Sequence, residues 1–307
     1  MTGAEPAGSG IALVTVTHDS ERELRALLDS VSRHLPGANV VVVDSGSSDR
    51  SLDAARDWDG GARVVDMGAN VGFGRAVNAG LREVTAPVTV VLNPDVELLD
   101  GSLAELAREA GRTDRPERLL APLVLLPDGS RQDSAQAEPG SAPLWLRALL
   151  PAEVLPGPLR RAVDPWRSHR PRRAGWAVGC CIAARTQTLR RLGPFDEGIF
   201  LYGEDLELGL RAADEGVETW FWPAARVRHK RAHSTGRAFG GEAFELLARQ
   251  RRDVVARRRG PARARIDDWL MLATLANRIA LKTLLRRSSE PERRRLAALR
   301  RVRRAGW

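Results

Sequence analysis

Two acidic clusters and a histidine are the residues best placed in this sequence to do chemistry. Asp95 follows the apolar run Pro87–Leu92 and sits directly behind Asn93-Pro94. A proline-stiffened turn at a strand end holds a carboxylate in place, and hard oxygen ligands suit Mg2+ or Mn2+ bridging a diphosphate. Taken alone, Asn-Pro-Asp is equally ordinary turn chemistry. Glu204 and Asp205 open a helical stretch after Tyr202-Gly203, with Glu207 in the same acidic run. Acids at a helix start normally serve its dipole; facing a cleft, one of them could take the proton of an attacking hydroxyl. His229, with His233 four residues on, ends a strand-like stretch. A neutral imidazole aimed at the same crevice would complete a mixed oxygen and nitrogen metal site.

Two further stretches suit phosphate or nucleoside contact. Asp44 and Asp49 flank the serine and glycine residues 45–48. There an acid can bond a ribose or base edge while loop amides face phosphate, although a plain strand-to-helix turn has the same composition. Asn70-Val71-Gly72-Phe73-Gly74 precedes a helical segment, and its glycines allow backbone to approach a phosphate. The spacing is not GxGxxG and no Walker lysine follows, which sets aside dehydrogenase and P-loop readings.

The elements that must position these residues alternate between strand and helix. Ile11–Thr17 is a β-branched apolar run, and Leu24, Leu27, Leu28 and Val31 recur at helical spacing within Glu21–His34. Asn39–Asp44 reads as a strand buried on both faces, with a helix starting near Ser51. Arg63–Asp66 reads as a strand, Phe73–Val84 as a helix and Pro87–Leu92 as a strand. That order predicts an α/β, doubly wound, mainly parallel sheet. Ligands in such sheets sit beyond the carboxyl ends of the strands, where residues 17–20, 44–49 and 93–95 all fall.

Residues 122–171 hold 9 of the 18 prolines, which predicts loops and short helices, a lid or acceptor-binding insert spanning 122–175. Strand is expected again at Trp176–Ala184, helix at Arg185–Leu192 and Gly203–Glu215, and two final strands at Val217–Trp222 and Arg226–Lys230.

Length, charge and cysteines narrow the class. A chain of 307 residues builds a sizeable core without disulfides, and 43% hydrophobic with 28% charged residues is a globular composition. Cys180 and Cys181 are adjacent, which suits neither a bridge nor a zinc site. Residues 1–10 read as a frayed tail without a secretory pattern, so a cytoplasmic protein is expected. Residues 249–307 carry 19 basic and 5 acidic residues, whereas the rest of the chain is net acidic. An acidic body and the lack of a recognition motif argue against nucleic acid. Within the basic stretch, Asp267–Arg287 is a helix candidate whose Arg278 and Lys282 interrupt its apolar run, so it cannot span a bilayer. Leu272, Leu275 and Ile279 could instead lie on an anionic membrane surface, each nearby basic residue adding about 1 kcal/mol; the other reading is a helix packed on the domain.

In chain order, TVTHDSERELRALLDSV, VVVVDSGSSDRS, NVGFGRAVNAG, VVLNPDVEL, GPFDEGIFLYGEDLELGLRAADEG and RVRHKRAHSTG resemble the inverting family 2 glycosyltransferases, which have the GT-A fold. The resemblance runs from about residue 11 to 240, and ordered motifs over that length are far more specific than any one of them. LNPDV, LPDGS, FDEGIFLYGEDLEL and HKRAHSTGR are similar to actinobacterial rhamnosyltransferases that act on N-acetylglucosaminyl diphosphate polyprenol.

The resemblance implies a GT-A domain over 11–248 followed by a basic helical region, 249–307. It also implies a nucleotide-diphosphate sugar donor, dTDP-rhamnose in the rhamnose case, a polyprenyl-diphosphate saccharide acceptor and a place on the inner face of the plasma membrane. Asp44 would contact the base or ribose, helped by Thr15, Thr17 and Asp49. Gly72, Arg75 and Asn78 would shape the diphosphate or donor-sugar pocket. Asp95 would bind Mg2+ or Mn2+, with Asn93 standing where the family's motif has its first acid and His229 as supplementary ligand. Asp205, or its neighbour Glu204, would be the catalytic base, and Trp176 would line the acceptor sugar.

Overall fold

The computed structural model describes residues 6–193, 195–230 and 243–304. His233 and the rest of the HSTG stretch lie outside them. In the first half β1 (Ile11–Thr17), α1 (Glu21–His34), β2 (Asn39–Asp44), α2 (Ser51–Arg56), β3 (Arg63–Asp66), α3 (Phe73–Glu83) and β4 (Val88–Leu92) alternate as their patterns require. β5 (Val96–Leu98), α4 (Ser102–Gly111) and β6 (Arg118–Leu125) follow.

The large sheet has the order β3-β2-β1-β4, then Cys181–Arg185, β6, Glu218–His229 and β5. β1 is parallel to β2 and β4, β2 to β3, and Glu218–His229 to β6, while Cys181–Arg185 runs antiparallel to β4 and β6. Strand periodicity sends alternate residues to opposite faces. Ile11 and Leu13 pack with Leu24, Leu27 and Leu28 of α1 in one core. Ala12, Val14 and Val16 pack with Ala76 and Val77 of α3 in the other. Helices therefore cover both faces, and the carboxyl ends of β1, β2 and β4 share one edge.

Several expected boundaries move. Trp176–Ala184 is two strands, β9 (Trp176–Ala177) and β10 (Cys181–Arg185), separated by a corner at Val178-Gly179-Cys180. The two strands expected at 217–230 are one, β11 (Glu218–His229), whose pairing to β6 shifts register between Trp222 and Arg226. Pro223 lies in that shift and Pro122 of β6 stands opposite Trp222, so the missing N–H groups fall where the ladder is irregular. The proline-rich insert does form short helices, α5 (Ala142–Leu149) and α6 (Gly157–Val163). It also contributes β7 (Ala135–Gln136), paired with β9, and β8 (Arg172–Ala174), paired with β11. After β10 come α7 (Thr186–Leu192) and α8 (Glu204–Asp214).

The basic region forms helices Ala243–Arg259, Pro261–Leu284 and Glu290–Arg304. Leu272 and Leu275 are buried in a cluster with Ala248, Leu299 and Val302. Fully burying a leucine contributes about 1.5–3 kcal/mol, so Leu272 and Leu275 are engaged within the protein, while Trp269 and Leu284 of the same helix stay exposed. Much of the basic charge also meets the acidic body. Arg258 pairs with Glu207, Arg257 with Asp196 at 2.8 Å and Arg259 with both Glu138 (2.7 Å) and Asp214 (2.8 Å). Among the described residues no helix is long and apolar enough to cross a membrane.

Candidate active site

Sheet register brings Asp95 and His229 together. β11 runs antiparallel to β5 with His229 opposite Val96, and the Lys230 amide donates to the Asp95 carbonyl at 3.0 Å. His229 Nε2 consequently lies 3.0 Å from Asp95 Oδ1, while Nδ1 lies 2.8 Å from Gln132 Oε1. An Nδ1–H donating to Gln132 leaves the Nε2 lone pair facing the carboxylate, an arrangement that an intervening cation or a second ring proton resolves. Cis ligands about 2.1 Å from an octahedral ion lie about 3 Å apart, so this pair fits two positions around Mg2+ or Mn2+. Among the described residues no three His, Cys, Asp or Glu side chains gather as a metal site. A donor diphosphate would supply further oxygens.

α8 presents Glu204 and Asp205 close by. Its N-cap Gly203 has φ +98°, a left-handed turn that L side chains rarely adopt and that lets the acids open the helix. Asp205 Oδ2 accepts the Gly179 amide at 2.8 Å and Oδ1 the Leu206 amide at 2.7 Å. The next carbonyl after Gly179, that of Cys180, accepts the Asn93 amide at 3.1 Å. The corner between β9 and β10 thus joins the Asp205 carboxylate to the turn carrying Asp95. Burial raises Asp205, but its amide hydrogen bonds and the Arg251 charge oppose the rise. Burial, reinforced by the Asp205 charge, pushes Glu204 up to about 8, and Glu204 Oε2 has no hydrogen-bond partner. Both carboxyls are raised on balance, and the amide donors together with Arg251 make Asp205 the more readily ionised of the two.

At the ends of β1 and β2, Thr15, Thr17 and Asp44 share one sheet face, with Thr17 opposite Asp44. All three are buried, and Thr15 Oγ1, Thr17 Oγ1 and Asp44 Oδ1 have no hydrogen-bond partner among the described residues. Buried oxygens are seldom left unbonded, so this group is suited to the donors of a ligand. Asp44 Oδ2 accepts the Ser47 amide at 3.0 Å, which orients the carboxylate.

Other expected residues are engaged elsewhere. Both oxygens of Asp49 are taken by helix starts, Oδ2 by the Glu21 amide and Oδ1 by the Ser51 amide and hydroxyl. Burial raises Asp49, but hydrogen bonds from Ser51 and Glu21 prevail and hold it below the ordinary carboxylate range. Asn78 is a staple: its Oδ1 accepts the Phe195 amide at 2.7 Å, and its Nδ2 donates to the Phe195 carbonyl (2.9 Å) and to Glu197 (3.1 Å). Arg75 pairs with that same Glu197 at 3.2 Å rather than standing ready for phosphate. Gly72 has φ +84°, and a Cβ there would meet the Phe200 carbonyl at 2.6 Å, so its conformation and tight packing both require glycine. Trp176 packs beside Gly209 of α8 with Nε1 unpartnered, which makes it a support for the helix carrying Asp205. Gln132, Gly179 and Glu197 are contacts that sequence reasoning missed; each acts across a long sequence separation, and although Glu197 falls within FDEGIFLYGEDLEL nothing in that motif names its partners.

Buried Cys180 lies among Asp95, Asp205 and Asp133; burial first, then Cys181 and these carboxylates, hold its thiol well above the ordinary range. It is an inert wall rather than a nucleophile.

Known proteins settle the family. The glycosyl transferase family 2 profile matches residues 12–115. Over 242 residues the chain is 34% identical to the N-acetylglucosaminyl-diphospho-decaprenol L-rhamnosyltransferase of Mycobacterium tuberculosis, covering 74% of this chain and 78% of that protein. The chain belongs to glycosyl transferase family 2. It is a glycosyltransferase of the GT-A fold, close to the actinobacterial rhamnosyltransferases. The fold is shared with the mannosyltransferase of Pyrobaculum calidifontis solved with GDP-Man and Mn2+, at TM-score 0.61 and 16% identity over 97% of this chain and 86% of that one. It is shared too with GalNAc-T7 solved with UDP, GalNAc and Mn2+, at TM-score 0.55 and 20% identity, covering 72% of this chain and 43% of that longer one.

Proposed function

We propose that this glycosyltransferase moves L-rhamnose from dTDP-rhamnose to a polyprenyl-diphosphate-linked N-acetylglucosamine, with inversion and with Mg2+ or Mn2+, at the membrane surface during cell-wall or surface-polysaccharide synthesis. The observation that carries the reading is the convergence of three groups. The Asp95–His229 pair, the amide-anchored carboxylate of Asp205 and the partnerless oxygens of Thr15, Thr17 and Asp44 meet at one sheet edge. The 34% identity to a rhamnosyltransferase supports the choice of sugar and acceptor.

The residues divide the work. Asp44, with Thr15 and Thr17, binds the nucleoside. Asp95 and His229 would hold the cation, which when bound would supply positive charge for the leaving nucleotide diphosphate. Asp205 takes the acceptor hydroxyl proton as the oxygen attacks the anomeric carbon opposite the leaving group, so configuration inverts once. Asn78, Arg75 and Glu197 fasten the loop at 195–200 against α3, which closes one side of the site.

The test is donor turnover. With Mg2+ or Mn2+ and a panel of nucleotide sugars, nucleotide diphosphate should be released from dTDP-rhamnose, and only when a polyprenyl diphosphate N-acetylglucosamine is present. Release from a different donor would replace the rhamnose assignment. Binding without release across donors and acceptors would favour a non-catalytic sugar-binding relative.

A further inference from the structure

Beside the Asp95–His229 pair lies a cavity of about 210 Å³ between the proline-rich insert and the Pro261–Leu284 helix. Its walls carry four guanidinium groups, Arg131, Arg147, Arg167 and Arg278, against two carboxylates, Asp133 and Asp164. Asp164, almost fully buried, lies 3.3 Å from Arg147 and 2.8 Å from Arg167. Arg131 donates to the Ser168 carbonyl at 3.1 Å. Among the described lining residues guanidinium groups outnumber carboxylates, a composition suited to an anion. Gln132, the residue holding His229, forms part of the same wall, and Asp133 stands near Cys180 between Asp95 and Asp205. The cavity thus backs directly onto the candidate active site.

Its outer rim is apolar. Pro151 and Ala152 line it, and next to them Trp145 (51%), Leu149 (71%), Leu150 (47%) and Val154 (55%) are exposed. Asn277 of the long helix donates to the Leu149 carbonyl at 3.3 Å, and Leu284, 80% exposed, follows two turns later on the same side of that helix. Large exposed apolar side chains around a basic hole mark an amphipathic anion.

We propose that this cavity binds the diphosphate of a lipid-linked acceptor, with Arg147 and Arg278 on the phosphate oxygens and Trp145, Leu149 and Leu150 against the first isoprenoid units. Guanidinium forks match phosphate oxygens, and the rim excludes water from the chain. This subsite rests on the transferase reading above. It places the lipid contact at the insert and the Leu284 end of the long helix rather than at the buried Leu272 and Leu275.

The test uses the full chain with Mn2+ and saturating nucleotide diphosphate, which fills the donor site, and titrates farnesyl diphosphate, inorganic diphosphate and farnesol. Farnesyl diphosphate should bind more tightly than either fragment. Arg147→Gln with Arg278→Gln should weaken both diphosphates about tenfold or more, while nucleotide affinity stays unchanged. Leu149→Ser with Leu150→Ser should weaken farnesyl diphosphate alone. Arg278→Gln by itself leaves the Asp164 pairs intact and keeps the test decisive if the double arginine variant misfolds. Farnesyl diphosphate that ignores these substitutions, or fails to bind once the donor site is full, overturns the proposal. The two readings fail separately, because nucleotide diphosphate that does not bind the unaltered protein would instead overturn the donor site.

Discussion

His229 Nε2 stands 3.0 Å from Asp95 Oδ1 because β11 runs antiparallel to β5 in the register that sets His229 opposite Val96. Neither residue could reach the other without that edge pairing. Gln132, from a loop outside both strands, then fixes the ring through Nδ1. Outer partners of this type are typically worth 10–100-fold in metal affinity. Gln132→Ala should therefore weaken Mn2+ binding by about that range with the fold intact, as measured by Mn2+ titration. A loss on the scale of Asp95→Ala would make Gln132 a ligand, and no loss would remove its orienting role.

The acidic pair makes a prediction about stability. Glu204 is pushed from an ordinary 4.5 up to about 8, so between those values the folded chain keeps a proton that the unfolded chain has released. Stability from this group is present at low pH and declines as pH rises towards 8. Glu204→Gln should hold its melting temperature better than the unaltered protein over that window. Parallel melting curves from pH 5 to pH 8 would contradict the assignment.

Asp44 has a buried, partnerless oxygen beside two partnerless threonine hydroxyls. Asp44→Ala should reduce nucleotide diphosphate affinity about 10- to 100-fold, the effect of losing a hydrogen bond or two to a charged group, and leave Mn2+ affinity alone. Calorimetry on the two ligands separates the effects.

The loop at 195–200 depends on Asn78. Asn78→Ala strips partners from the Phe195 amide and carbonyl and should cost about 2–4 kcal/mol in denaturant unfolding. Asn78→Asp keeps the acceptor for the Phe195 amide but turns an oxygen onto the Phe195 carbonyl and Glu197, so it should recover none of that loss at neutral pH. A near-neutral Asn78→Ala would mean that the loop is held by something else.

Strands and helices from Ile11 to Leu92 were legible because each is a run of one period bounded by turn residues, and sites at strand ends follow from a parallel sheet; the short β5 and the helix Ser102–Gly111 were missed. Asp95 and Asp44 could be singled out on that basis, whereas Asp205, with Glu204 beside it, stood out as an acid opening a helix and took its role from the family resemblance. β6 was not legible, because Pro122 in its middle argues against a central strand until the opposing shift near Pro223 is known. Gln132 left no local signal, since its meaning arises only when a loop meets a strand end. Asn78 and Arg75 were placed at the donor by the family resemblance. What they meet is Phe195 and Glu197, more than a hundred positions away. The leucines of Pro261–Leu284 show the same ambiguity: one pattern serves a membrane face or a helix seam, and Leu299 and Val302 supply the seam.

In the proposed mechanism Asp205, anchored by the Gly179 amide, takes the proton in a single displacement. The most direct measurement follows transfer of the labelled sugar to the lipid-linked acceptor by the unaltered protein, Asp205→Asn and Glu204→Gln, with donor affinity and product anomeric configuration read together. Product of inverted configuration, abolished by Asp205→Asn with donor affinity retained and largely preserved by Glu204→Gln, is the expected result. Retained configuration, or robust transfer by Asp205→Asn, would contradict it.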